Sequence, residues 1–126
     1  MTLGCKTSKD VMKAVKDLDV QMIDIRMTDM PGMWQHISYP AAAYDQDLID
    51  EGHGFDGSSI RGFSAQAESD LRLVVDWPAF YWLPADVFGP GKVLVFGDVR
   101  EKDGAPYPAD MRARLRAYAD ELFNKS

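Results

Sequence analysis

Between Gly52 and Phe63 the chain reads Gly-His-Gly-Phe-Asp-Gly-Ser-Ser-Ile-Arg-Gly-Phe, which sets one carboxylate, Asp56, and two hydroxyls, Ser58 and Ser59, among four glycines. Glu68 and Asp70 add carboxylates a few residues on. Two chemistries compete for such a segment. Glycine- and serine-rich turns can cradle phosphate on their backbone N–H groups. The spacing Gly-x4-Gly-Lys-Ser/Thr of the phosphate loop is absent, however, and Asp56, Glu68 and Asp70 would repel an anion. A carboxylate displayed on a glycine-permissive loop suits a small cation or a protonated amine better. The plainer alternative is a tight Asp-Gly turn whose serines cap nearby backbone. Spacing alone leaves both open.

Elsewhere the chemistry is sparse. His36 and His53 are the only histidines, and they stand too far apart to suggest a metal. His36 falls in a strand pattern and is expected to be a satisfied sheet residue, while His53 is expected to face solvent. One cysteine, Cys5, excludes an internal disulfide and a cysteine-based zinc site. Leu3-Gly4-Cys5 has only Met1 and Thr2 before it, too little for a lipoprotein leader. No apolar run approaches the ~18 residues of a membrane span. The formal net charge is −6 and the pI about 4.7, which argues against nucleic acid or an anionic membrane as partner. The expected compartment is the cytoplasm.

These residues need a scaffold, and 126 residues are enough for one core. Val11, Met12, Val15 and Leu18 recur at helical spacing behind a Thr7/Asp10 capping pair, predicting a helix over 8–18. Ile23, Ile25 and Met27 alternate with polar residues, Pro31-Gly32 turns the chain, and Met33 to Tyr39 returns, predicting an antiparallel hairpin. Ala41 to Glu51 is expected to form a short helix ended by Gly52 and Gly54, and 52–70 a loop exposed over 52–66. Leu71 to Asp76 predicts a third strand. Trp77, Phe80, Tyr81 and Trp82 then crowd together as a lid on the core or a contact surface. Val93 to Phe96 centres a further strand. Met111, Leu115, Tyr118, Ala119 and Leu122 mark the inward face of a helix over 110–123, with Arg112, Arg114 and Arg116 solvated. The pattern is α+β: a mixed sheet of four or more strands packed on helices.

Phe55-Asp-Gly-Ser-Ser-Ile-Arg-Gly-Phe63, followed by Glu68-Ser-Asp-Leu71 and Asp76, resembles the N-terminal signature of bacterial type I glutamine synthetase. The likeness extends to Asp24-Ile-Arg-Met-Thr-Asp29, Gly32, Gln35, His36 and Pro40, and to Asp98, Gly104 to Tyr107 and Arg112, so it spans about Lys9 to Leu122. It implies a single β-grasp domain over 1–126, a curved sheet gripping a helix. The resemblance also implies an ATP-dependent ligation of ammonia to glutamate, carried out by a homo-oligomeric ring. Asp56 would bind and deprotonate ammonium in a neighbouring subunit's active site, with Ser59 and Phe63 lining the same opening. Gly57, Ser58, Glu68 and Asp70 would be structural, the last two holding the loop by hydrogen bonds.

ATP and the Mg²⁺ or Mn²⁺ ions would be held by the catalytic domain, none of them by this chain. That domain would follow Ser126, so the chain is expected to be a fragment of such an enzyme or a free-standing paralogue of its first domain, inactive alone. A stand-alone module that caps or regulates a full-length synthetase is the alternative. Leu71 in place of Met, Val75 in place of Pro, the divergent stretch from Trp77 to Pro84 and Ala109-Asp-Met-Arg112 in place of Asp-Pro-Arg depart from the family pattern. These departures leave room for a relative that ligates glutamate to another amine.

Overall fold

A reciprocal cap starts the first helix. The Thr7 hydroxyl accepts from the Asp10 amide at 3.3 Å, the Asp10 carboxylate accepts from the Thr7 amide at 3.0 Å, and α1 runs Ser8–Asp17. The computed structural model describes residues 4–63, 65, 69–85, 89 and 91–125; Glu68 lies outside them. The predicted hairpin follows as β1 (Met22–Thr28) and β2 (Trp34–Pro40), antiparallel with Ile25 opposite Ile37. Ile23, Ile25 and Met27 all point into the core, as the alternation requires.

Asp45 caps a short α2 (Gln46–Glu51) through the Leu48 amide at 3.0 Å. A separate 3₁₀ turn at Ala41–Ala43 precedes it, so the expected continuous helix is split where Asp45 leaves helical geometry. The sheet is completed by β3 (His53–Asp56), β4 (Asp70–Leu83) and β5 (Lys92–Arg100). Strand order is β2-β1-β5-β4-β3, with β1 parallel to β5 and the other neighbours antiparallel. Val11 of α1 and Ile49 of α2 are buried in one core cluster with Ile23, Leu73, Phe80 and Val95. The architecture is α+β, a curled mixed sheet with helices. Among the described residues no helix is long and apolar enough to cross a membrane.

Three further expectations change. First, the glycine-rich segment is not wholly a loop: His53–Asp56 forms β3 and pairs with β4, and Gly52, His53 and Gly57 are buried. His53 therefore faces the core, not solvent. Second, β4 does not stop at Asp76. It continues through Pro78, which lacks an N–H to give the ladder, by slipping register against β5 between Val75 and Phe80. Phe80 thereby enters the core, and Tyr81 meets Phe96 edge-on at 6.4 Å.

Third, the last helix, α3 (Met111–Lys125), turns the other way. Leu115, Tyr118, Leu122 and Phe123 are exposed. Arg112 instead reaches the sheet, bonding Asp76 at 2.6 Å and Asp98 at 2.9 Å, and Arg116 pairs with the same two carboxylates. Charges one helical turn apart thus choose the face that apolar spacing was expected to choose. Asp110 anchors the helix start: it is fully buried and accepts from the amides of Val99, Arg112 and Ala113.

Candidate functional site

Asp56 ends β3 where the chain enters a 3₁₀ turn, Gly57–Ser59. Its Oδ1 accepts from the Ser58 amide at 2.9 Å and the Ser58 hydroxyl at 2.6 Å, a local Asx-type turn. The Ser58 hydroxyl above all, then its amide and the Ser69 hydroxyl, hold the Asp56 carboxyl below the usual carboxylate range. Asp56 is therefore an exposed, fully ionised group near neutral pH. The turn is tied back by the Gly57 amide, which donates to the Ser69 carbonyl at 2.7 Å.

Asp70 is the register partner of Asp56 across β3 and β4. Its carboxylate makes no hydrogen bond among the described residues, and like charges set directly opposite on antiparallel strands repel. Both carboxylates line one groove of about 610 Å³, with Glu51, Ser69, Arg72 and Lys102 also on its walls. Seeing Asp70 as a second site carboxylate required the register of β3, a strand too short and too rich in glycine to be read from its pattern. Among the described residues no group of three His, Cys, Asp or Glu side chains is placed to hold a metal ion.

Ser59 and Phe63 do not line that groove. Ser59 is exposed in the 3₁₀ turn, and Phe63 packs edge-on against Tyr107 at 5.0 Å. Between them Gly62 takes φ +83°, and a side chain there would put its Cβ 2.4 Å from Met30 Cβ. Only glycine fits this close approach. The Met30 amide donates to the Arg61 carbonyl at 3.3 Å, so the segment after Asp56 is stitched to the β1–β2 turn.

His36 is a sheet residue whose Nδ1 lies 2.6 Å from Asp24 Oδ1. Ser38 donates its hydroxyl to the same oxygen at 2.7 Å, and Arg26 holds the other at 3.2 Å. Ser, His and Asp thus meet, but not as a nucleophile relay. A relay needs the serine on the imidazole nitrogen remote from the aspartate, and here both groups converge on the carboxylate.

His53 begins the strand that carries Asp56. Its ring lies 4.3 Å from Tyr39 and stacks on Tyr44 at 5.4 Å, and neither ring nitrogen, nor the Tyr44 hydroxyl, has a hydrogen-bond partner among the described residues. Burial pushes the His53 pKa down to about 4, against a weak opposing pull from Asp45. In the unfolded chain the ring titrates near 6.5. Between those values the unfolded state takes a proton that the folded state refuses, so stability falls as pH drops from 6.5 to 4 and levels below. The largest expected loss is about 3 kcal/mol. Urea denaturation from pH 7 to 4.5 should show this slope in the natural chain and a flatter one in His53→Phe. Equal slopes would mean that His53 titrates in the folded chain as it does in the unfolded one.

A family model described as "Glutamine synthetase, beta-Grasp domain" matches residues 19–102. The chain is 42% identical over 108 residues to a glutamine synthetase of Bradyrhizobium diazoefficiens, covering 85% of this chain and 23% of that protein. It is 40% identical over 114 residues to a protein of Cupriavidus pinatubonensis named 3-hydroxylaminophenol mutase, covering 86% of this chain and 24% of the other. The chain thus spans about a quarter of the length of both relatives. Among solved structures, the Plasmodium falciparum glutamine synthetase determined by cryo-electron microscopy superposes with a TM-score of 0.88 at 19% identity, over 98% of this chain and 24% of that one. At that identity the match speaks for the fold.

Proposed function

Since the chain belongs to the glutamine synthetase family, as its N-terminal β-grasp domain, we propose that it works within a cytoplasmic, ATP-dependent ligase joining ammonia to glutamate, and that it presents Asp56 to the active site of a neighbouring subunit in a homo-oligomeric ring. The observation that carries this reading is the pair of opposed carboxylates, Asp56 and Asp70, on an open groove. In water such an exposed pair holds a cation weakly. Covering the groove with another protein surface lowers the effective dielectric and strengthens the attraction for ammonium. The same desolvation raises the Asp56 pKa from its depressed open value, so that the carboxylate can accept the proton that ammonium must lose. In this reading a partner surface completes the groove.

Among the described residues no His, Cys, Asp or Glu cluster is placed to hold the Mg²⁺ or Mn²⁺ ions that accompany ATP in such a ligase. In this reading they belong to the catalytic portion of the longer protein. The purified 126-residue chain should make no glutamine from glutamate, ammonium, ATP and Mg²⁺. A ring assembled from catalytic portions that lack their own β-grasp domain should gain glutamine synthesis when the chain is added. Glutamine formed by the chain alone overturns the reading. Binding without any gain of activity would favour a non-catalytic regulatory module, and turnover of an aryl hydroxylamine in place of glutamate would favour a mutase of the kind that the Cupriavidus relative's name describes.

A further inference from the structure

On the face of the sheet that carries Asp76 and Asp98, opposite the buried core, Arg72 of β4 and Arg100 of β5 are direct register partners. Two like charges across an antiparallel pair weaken it unless something anionic lies between. Each guanidinium is aimed by one backbone bond: Arg72 Nη1 donates to the Glu51 carbonyl and Arg100 Nη1 to the Gly104 carbonyl, both at 3.0 Å. A guanidinium has five N–H donors, so most remain uncommitted in each fork. Lys102, two residues beyond Arg100, makes no hydrogen bond or ion pair among the described residues. All three cations line an open groove of about 600 Å³, which Arg72 and Lys102 share with the Asp56 groove beside it.

Three carboxylates share these walls and offset part of the charge. Asp50 and Asp103 are turned to neutral donors, Gln46 Nε2 at 3.0 Å and the Ala105 amide at 2.9 Å, and Glu51 Oε2 makes a long ion pair with Arg72 at 3.9 Å, so Arg100 and Lys102 are left without a carboxylate partner among the described residues. We propose that Arg72, Arg100 and Lys102 form an oxyanion-binding site that takes a phosphate or a carboxylate group. Two planar forks match the spacing of paired oxygens on either ligand, and the lysine adds a point charge. None of the three belongs to the signature that resembles the family, but Arg72 and Lys102 also line the Asp56 groove, so an anion bound here would sit beside the carboxylates proposed to attract ammonium.

The test is a titration of the ¹⁵N-labelled chain at pH 7 with inorganic phosphate in one arm and succinate in the other, sodium chloride holding ionic strength constant. The Nε–H signals of Arg72 and Arg100 should shift and saturate in the millimolar range or below, with the tighter arm naming the preferred group. Arg72→Gln and Arg100→Gln should each weaken binding about tenfold or more. Arg114→Gln, on an exposed helix position, should leave it unchanged. If Arg72→Gln fails to fold, Arg100→Gln and Lys102→Gln together serve the same comparison. Shifts that never saturate, or that Arg114→Gln reduces equally, would show only general charge screening and overturn the proposal.

Discussion

Asp56→Asn, introduced into a full-length enzyme carrying this domain, is expected to lower turnover by roughly 10²–10⁴, the usual worth of a positioned general base. The ammonium KM should rise with it, because the amide neither attracts the cation nor accepts its proton. ATP and glutamate KM values should hardly move, since neither ligand is assigned to this groove. The amide oxygen can still accept from the Ser58 amide and hydroxyl, which are the bonds that shape the turn, so the melting temperature should stay close to that of the parent. Asp70→Asn provides the comparison: it removes the opposed charge but leaves Asp56 in place, so it should raise the ammonium KM with a much smaller loss of turnover. A variant Asp56→Asn that melts early while its folded fraction keeps normal ammonium kinetics would make Asp56 a turn residue and nothing more.

The largest stability effect outside the apolar core is expected at Asp110. Its carboxylate is fully buried and serves three amides, including that of Val99, which is itself buried in β5. Asp110→Ala removes a helix cap, worth about 0.5–2 kcal/mol, and strands a buried N–H, worth about 1–3 kcal/mol. A combined loss of roughly 2–4 kcal/mol should appear in urea denaturation, with a fall in Tm on the order of 10 °C. Asp110→Asn keeps an acceptor oxygen and should recover part of the loss. If Asp110→Ala unfolds within about 0.5 kcal/mol of the natural chain, α3 is held by its arginines alone.

Where neighbours in sequence decide the outcome, the fold was legible beforehand. The Thr7/Asp10 cap, the alternation of Ile23, Ile25 and Met27, and the Pro31-Gly32 turn each act within a few residues, and each element stands where its pattern placed it. Distance defeats that kind of reading. The orientation of α3 is set by Asp76 and Asp98, carboxylates 36 and 14 residues before Arg112, and no local periodicity records them. The length of β4 depends on a register slip that lets Pro78 sit where the ladder is already broken. In the site, the Asp-Gly dipeptide announced the display of Asp56. The placement of Asp70 opposite, the burial of His53 and the arrival of Arg72 beside the groove all follow from pairing β3 with β4, a contact between residues 14 or more positions apart.

The parallel pairing of β1 with β5 has a kinetic meaning as well. Met22 lies beside Lys92, 70 residues further along the chain. During synthesis at ~5–20 residues per second, the hairpin must therefore wait on the order of ten seconds for its central neighbour to emerge. Through that interval Ile23, Ile25 and Met27 have the α1 helix but no completed sheet to cover them, and β1 presents an unpaired edge. A ribosome-tethered series of growing lengths should show protease resistance rising abruptly once residues 92–100 leave the exit tunnel, with little gain before. Relative contact order of this kind predicts slow refolding in free solution too, and it makes the nascent hairpin the part of the chain most in need of chaperone cover.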